Sequence, residues 1–476
     1  MIERVTGFRI SRNFLFGLAG LVLGGVAVGI YATQQGLSYR EFIVGLGALI
    51  AAIIIFGGER GIRFGLVLWV LTLALGYRTI ELTPNLRLHP SEILIWLLLG
   101  CILIQRQLAA QSPISFPWWL WLLIPFWTFA WWPLVVGDAP WDKMLNEFRD
   151  FLLLVPVMIV ASFVLRRDRY WRPLLLAFYI ASIWIAFMGV VEYWFPGVER
   201  LFPAFIHAAK PELTAEGFMR AQFSFWGGAQ ATFICALALP AALVLLSWWP
   251  RLLPRVAIAV AAGLQILAIY IGGYRSIWFV LLIQVLIACA LRLKKHGLAM
   301  AALCLLVAVG GYQFIPRTDE RVITGIAALK GDPIDHSSQD RKDRALGALS
   351  DTFESPFGSG WSSAGWVHSD FLQVAANLGI LAGLIFIGGY LHTLLRLTRQ
   401  TLERLRTSEG DLCLTLLLSF VGAGGLLAMQ GVEVLPQMAL PVWLVWSLVD
   451  IQLRRTSEAK DFVFAPVNVY PALSIQ

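Results

Sequence analysis

The stretch Leu174–Trp194 reads LLLAFYIASIWIAFMGVVEYW, twenty-one residues with one charge, Glu192. An α-helix rises 1.5 Å per residue, so about 20 apolar residues cross the roughly 30 Å hydrocarbon layer of a bilayer. Just before it stand Arg166, Arg167, Arg169 and Arg172. A long apolar helix entered from a cluster of arginines is the unit from which polytopic membrane proteins are built.

The same unit recurs in both directions. Toward the N-terminus the apolar runs are Phe14–Thr33, Phe42–Gly57, Phe64–Tyr77, Ile93–Gln105, Trp118–Val136 and Phe151–Leu165. Toward the C-terminus they are Ala229–Leu246, Val256–Gly272, Ile277–Leu291, Leu298–Phe314, Phe371–Leu395, Leu412–Met429 and Leu440–Leu453. Several are short, so polar neighbours must complete them or one or two are re-entrant. The expected fold is all-α: a polytopic transmembrane bundle of about 14 spans with one large polar loop, residues 316–367. It divides into N-terminal helices (1–195), a core that carries the loop (196–453) and a tail (454–476). Phe14–Thr33 follows Arg4, Arg9 and Arg12 with no small-residue cleavage pattern after it, and reads as a retained first helix. Composition points the same way: 58% of the 476 residues are hydrophobic, 14% are charged, and the mean hydropathy is +0.72. A soluble domain carries about 25% charged residues.

Fourteen spans put both termini on one side. With the termini inside, the inner connectors and tails hold 22 Lys and Arg against 9 Asp and Glu, and the outer ones 15 against 21. Basic residues collect on the cytoplasmic side, so both termini are expected in the cytoplasm and the 316–367 loop on the non-cytoplasmic side. The net charge of +7 is thus a matter of sidedness, not a signal for nucleic acid. All five cysteines lie in apolar runs, as buried thiols do. No P-loop, dinucleotide fingerprint, H-E-x-x-H or internal repeat is present, which removes ATP-driven transport, zinc proteolysis and one common mark of secondary transporters.

Three positions on the expected outer side stand out. Arg220 lies in GFMRAQFSFWGGAQ before a long apolar run. Arg275 lies in IGGYRSIW, a two-glycine break between two runs, and His368 opens a helix in WVHSDFLQ. Arginine near a span end often snorkels to the interface. Yet these two break the inside preference, and a guanidinium binds phosphate bidentately at any relevant pH. His368 suits either a hydrogen-bonded structural role or proton transfer from a hydroxyl, since an imidazole titrates near neutrality. Ser369 and Asp370 beside it are candidate caps.

In the loop, residues 340–349 alternate charges and then show apolar periodicity, as an amphipathic interfacial helix does. Arg341 and Arg344 share a face there, available to a substrate or to Asp340 and Asp343. Trp361 and Trp366 suit interfacial anchoring or sugar stacking. Acidic candidates for a base are Glu192, Glu216, Asp370 and Glu433, and spacing selects none of them.

Taken together, Arg220 before a helix, GGYRS at Arg275, R-x-x-R-A-L in a polar loop, SPFGSGW, and HSDFLQVAANLGILAG resemble the O-antigen ligase and Wzy-type polysaccharide polymerase superfamily over residues 220–395. The resemblance implies a C-type glycosyltransferase fold and an inverting transfer that needs no metal or other cofactor. Its donor would be a glycan on undecaprenyl diphosphate, and its acceptor a second glycan or the lipid A core. By that resemblance Arg220 and Arg275 hold the diphosphate, His368 orients or deprotonates the acceptor, and Arg341 or Arg344 assists. The family often has Ser-Arg-Gly where this chain has Tyr274-Arg275-Ser276, and a Pro-Asn where it has Gly227 to Gln230. Those departures leave the acceptor open between polymerase and ligase. A small-anion transporter is the competing class, although a carrier places its polar site near mid-membrane on broken helices.

Overall fold

A computed structural model of the chain describes residues 50–75, 80–83, 86–109, 116–136, 141–165, 170–195, 212–213, 219–220, 228–292, 336–361, 367–407, 409–429 and 436–464. The expected spans Phe14–Thr33 and Leu298–Phe314, and the first half of Phe42–Gly57, lie outside them. The described chain is helical apart from two small antiparallel hairpins. In order it runs α1 (Gly58–Thr72), the strands β1 (Ile80–Thr83) and β2 (Leu86–Leu88), α2 (Pro90–Ala109), α3 (Trp118–Phe129), α4 (Trp132–Val136), α5 (Trp141–Leu152), α6 (Leu154–Val164) and α7 (Trp171–Trp194). Then come β3 (Glu212–Leu213), β4 (Met219–Arg220), α8 (Gly228–Ala238), α9 (Ala241–Trp248), α10 (Leu252–Gly272), α11 (Arg275–Arg292), α12 (His336–Glu354), α13 (Asp370–Leu378), α14 (Ile380–Arg404), α15 (Gly410–Met429) and α16 (Pro436–Phe464).

Among the described residues, five helices are long and apolar enough to cross a membrane: α7, α10, α11, α14 and α15. The bent pair α8–α9 makes a sixth if it counts as one span. The composition of each face says where each helix sits. α8 and α15 are apolar all round and nearly wholly buried, as the centre of a bundle requires. α10 and α11 are apolar too, yet they turn Leu252, Leu253, Val260, Phe279, Leu282 and Leu286 outward. In water each such side chain would forgo about 1.5–3 kcal/mol of burial, whereas hydrocarbon accepts them.

Breaks inside the bundle are mended by side chains from neighbouring helices. Pro240 has no N–H to offer the Ala236 carbonyl, and the chain bends by 40° between α8 and α9. Gln284 of α11 donates through Nε2 to that carbonyl at 3.1 Å and to Leu418 at 3.0 Å. Ser419 donates to the Leu237 carbonyl at 2.9 Å and Thr415 to that of Pro240 at 3.1 Å. An unpaired carbonyl in a lipid-like interior costs several kcal/mol, so these three polar side chains make the bend tolerable.

Contacts between connectors sort into two ends. At one end Arg172 lies over Trp248, Arg63 over Tyr170, Arg455 over Trp171, and Arg292 pairs with Asp411 at 2.8 Å. At the other Glu92 pairs with Arg149, Glu147 accepts from Gln373 and Asn377, and Trp361 joins α3. The first set comes from connectors that the charge pattern assigns inside, the second from those it assigns outside.

Two expected helices divide. Phe371–Leu395 is cut at Gly379 into α13 and α14, and Trp118–Val136 turns at Ala130–Trp131 into α3 and α4. The amphipathic segment 340–349 is the middle of α12. Cys101, Cys235, Cys289 and Cys413 are free thiols, and all but Cys289 are buried.

Cysteines placed at Ser350 on α12 and at Thr407 after α14 should report the two ends separately. A membrane-impermeant maleimide added to spheroplasts should label S350C directly and T407C only after permeabilisation; the reverse pattern would invert the orientation.

Candidate functional site

The end of the bundle that carries Glu147 and Trp361 is organised around α13. Its sequence, DFLQVAANL, places Gln373 and Asn377 four residues apart on one buried face. That face meets α5, an amphipathic helix in the connector ahead of the Phe151 run. On α5, Met144, Glu147 and Phe151 recur at helical spacing and are buried, while Trp141 and Lys143 point outward. Glu147 Oε1 accepts from Gln373 Nε2 at 3.1 Å and from Asn377 Nδ2 at 2.6 Å. Two residues on, Arg149 bridges two further buried carboxylates, Glu92 at 3.1 Å and Asp150 at 3.0 Å. Buried carboxylates survive only where such partners replace water.

The glycine-rich turn explains the α13–α14 break. Ser359 and Gly360 donate their backbone N–H groups to the carbonyls of Ala376 and Asn377, at 3.0 and 2.9 Å. Ile380 donates to Pro356 at 3.0 Å. These bonds satisfy carbonyls at the end of α13 that the helix itself leaves open. The backbones pass so closely that a Cβ on Gly358, whose φ is +91°, would lie 2.4 Å from the Asn377 oxygen. The SPFGSGW motif is therefore a backbone cap, and its glycines are dictated by contact.

Trp361 closes the turn from beneath. Its backbone N–H reaches the Ala130 carbonyl at 3.1 Å and its Nε1 that of Trp127 at 3.3 Å. The ring lies edge-on to Phe148 at 5.5 Å and is buried. This corrects the surface roles expected for it: no ring face is open for sugar stacking or interfacial anchoring. Trp366 lies outside the described residues.

His368 sits where this framework meets α12. Its φ is +58°, and among the described residues it is the one non-glycine residue in the left-handed region. Histidine tolerates that region better than most residues, but a bulky side chain there still needs support. Support comes from both flanks: Gln373 Oε1 accepts the Val367 N–H at 3.0 Å, and the Gln373 N–H donates to the Ser369 carbonyl at 2.8 Å. Partial burial, then the positive charges of Arg341 and Arg344 on α12, push the imidazole down from 6.5 to about 4, with Asp340 opposing. The ring is thus neutral at physiological pH. Arg344 also pairs with Asp340 at 3.0 Å, and since both are half exposed the pair adds at most about 1 kcal/mol.

The other expected residues take different places. Asp370 is fully buried in the first turn of α13, where a carboxylate suits the helix dipole. The Ser369 side chain makes no capping bond although its backbone is at the cap. Arg275 is the first residue of α11, just after Gly273 turns the chain at φ +69°. Tyr270 and Trp278 stack across that turn with centroids 5.3 Å apart. Arg220 lies on β4, paired in register with Glu212, and β4 lies beside α10, which leads into Arg275. α15 packs against both α11, which begins at Arg275, and α13, which follows His368. Glu192 is buried near the outer end of α7, while Glu216 and Glu433 lie outside the described residues. Among the described residues, no three His, Cys, Asp or Glu side chains come together to hold a metal ion.

The buried polar groups of the site, Glu92, Glu147, Arg149, Asp150, Gln373 and Asn377, are absent from the expected set. The signal for α5 lies in the alternation of WDKMLNEFRDFL, which is too short to span and falls between two apolar runs. No protein-family model matches the chain, and no curated protein matches it.

Gly358→Ala should destabilise the protein by about 1–3 kcal/mol, read as a fall in the unfolding temperature in lipid nanodiscs, because a side chain is forced into both an unfavourable φ and a carbonyl. Ser359→Ala, which keeps the backbone bonds, should unfold as the wild type does.

Proposed function

We propose that this chain is a membrane-embedded, inverting glycosyltransferase that moves a glycan from a polyprenyl diphosphate, undecaprenyl diphosphate in bacteria, to a glycan acceptor at the periplasmic face. The polysaccharide polymerase reading is preferred, and transfer to a lipid A core, as in an O-antigen ligase, is the same chemistry with another acceptor. The observation that carries the proposal is His368: a neutral imidazole in a constrained backbone, at the mouth of a buried helix, with two arginines facing it.

A neutral imidazole accepts the proton of an acceptor hydroxyl as that oxygen attacks the anomeric carbon. The bond from the anomeric carbon to the diphosphate oxygen breaks, the centre inverts, and the diphosphate leaves as an anion. Arg275 begins a helix, where the backbone dipole is already positive. The N–H groups of that first turn and the guanidinium can both donate to a leaving diphosphate. Arg220 would share that role, with Arg341 or Arg344 assisting from α12. Beside Trp361, a shallow recess of about 500 Å³ lined by Pro125, Phe129, Trp132 and Val135 is apolar enough for part of an isoprenoid chain.

A carrier for small anions is the weaker reading. The broken pair α8–α9 is where a carrier would bind, but the carbonyls freed there are engaged by Gln284, Ser419 and Thr415.

Purified protein in nanodiscs, given undecaprenyl-diphosphate-linked repeat units alone, should lengthen them. Arg220→Ala, Arg275→Ala and His368→Ala should each lower transfer by about 10²-fold or more while inserting normally. The acid limb of kcat/KM should fall near pH 4, since protonation of His368 removes the base. Wild-type products from all three variants would end the enzyme reading, and transfer only on adding lipid A core would make the protein a ligase.

A further inference from the structure

Glu147 belongs to none of the roles assigned above, yet it is joined to the His368 segment through one side chain. Its Oε1 takes both amide donors, Gln373 Nε2 at 3.1 Å and Asn377 Nδ2 at 2.6 Å. Gln373 uses its other amide atom, Oε1, to hold the Val367 N–H at 3.0 Å. Val367 immediately precedes the left-handed residue. An amide has one acceptor and one donor end, so fixing the donor end on Glu147 fixes which end faces Val367. Asn377 serves the same framework: its side chain binds Glu147 while its carbonyl receives Gly360. The carboxylate thereby ties together α5, α13 and the glycine-rich turn.

We propose that Glu147 is the positioning residue of the proton acceptor: through Gln373 it locks the Val367–His368 backbone and so sets the environment of the His368 ring. Glu147 acts by holding the donor end of the Gln373 amide; without it, Nε2 turns toward another acceptor and Oε1 leaves the Val367 N–H. Loss of that bond would release the strained φ at His368. The ring would then move out from the charged groups that act on it, Asp340, Arg341 and Arg344 on α12. The consequence for catalysis rests on the function proposed above; the mechanical coupling does not.

The coupling is read on the ring itself. Carbethoxylation of His368 by diethyl pyrocarbonate, followed by peptide mass spectrometry across pH, gives the midpoint at which the imidazole becomes reactive. The wild-type midpoint is expected at about 4. Glu147→Ala should raise it toward the ordinary value of about 6.5, because the ring loses its burial and its distance to the arginines grows. Glu147→Gln should keep the wild-type midpoint, since both donors go to Oε1, which glutamine retains. Should E147A fail to fold, Gln373→Leu cuts the same link while leaving Glu147 with Asn377, and should raise the midpoint alike. A folded E147A or Q373L with an unchanged midpoint would overturn the proposal, as would an E147Q midpoint displaced as far as that of E147A. A wild-type protein that transfers no glycan would end the functional reading and leave these midpoints to stand or fall by themselves.

Discussion

Glu147 accepts two hydrogen bonds from α13 in the buried interior, and the end of the bundle that holds Trp361 and His368 is arranged around that fact. A carboxylate withdrawn from water costs several kcal/mol unless fixed donors replace the lost hydration. Gln373 and Asn377 supply them only if α13 keeps its face toward α5. Asn377 then offers its carbonyl to Gly360, the turn docks on Trp361 and Ala130, and Gln373 reaches Val367 beside His368. One buried charge thus fixes a helix, a loop and a left-handed residue together.

The same constraint, that polar groups in an apolar interior find partners within the protein, separates scaffold from site. At the Pro240 bend the freed carbonyls are met by Gln284, Ser419 and Thr415 from neighbouring helices. At Gly379 the gap is met by backbone donors from the turn before it. Both breaks are closed by the bundle itself. Arg275 instead opens α11 at the turn made by Gly273, and Arg341 and Arg344 lie on α12 where their charge depresses the His368 imidazole.

Much of this was legible in the sequence. Apolar length marks the helices, since hydrocarbon thickness sets a single scale, and the alternation of charge sorts connectors into the same two sets that contact one another. His368 and the α12 arginines were visible because they interrupt that pattern. Two features were not. α5 is an amphipathic helix with two carboxyls on its inward face, so Glu147 and Asp150 look like connector charges until the fold buries them. Trp361 reads as an interfacial aromatic because tryptophan favours that zone, and only the folded turn shows its ring among Phe148, Phe151 and Trp127. The cut at Gly379 was hidden as well, for glycine inside an apolar run is common, and the clash that requires it comes from Phe357, distant in sequence.

The claim on which all of this converges is that the arginines and His368 face one anionic substrate at one end of the bundle. Electron cryo-microscopy of the protein in nanodiscs, with a non-transferable phosphonate analogue of an undecaprenyl-diphosphate glycan, tests it most directly. Diphosphate density should lie within hydrogen-bond reach, about 3 Å, of Arg275 and Arg220, with the sugar directed toward His368. Density at the Arg292–Asp411 end, or seated mid-bundle beside Pro240, would contradict it.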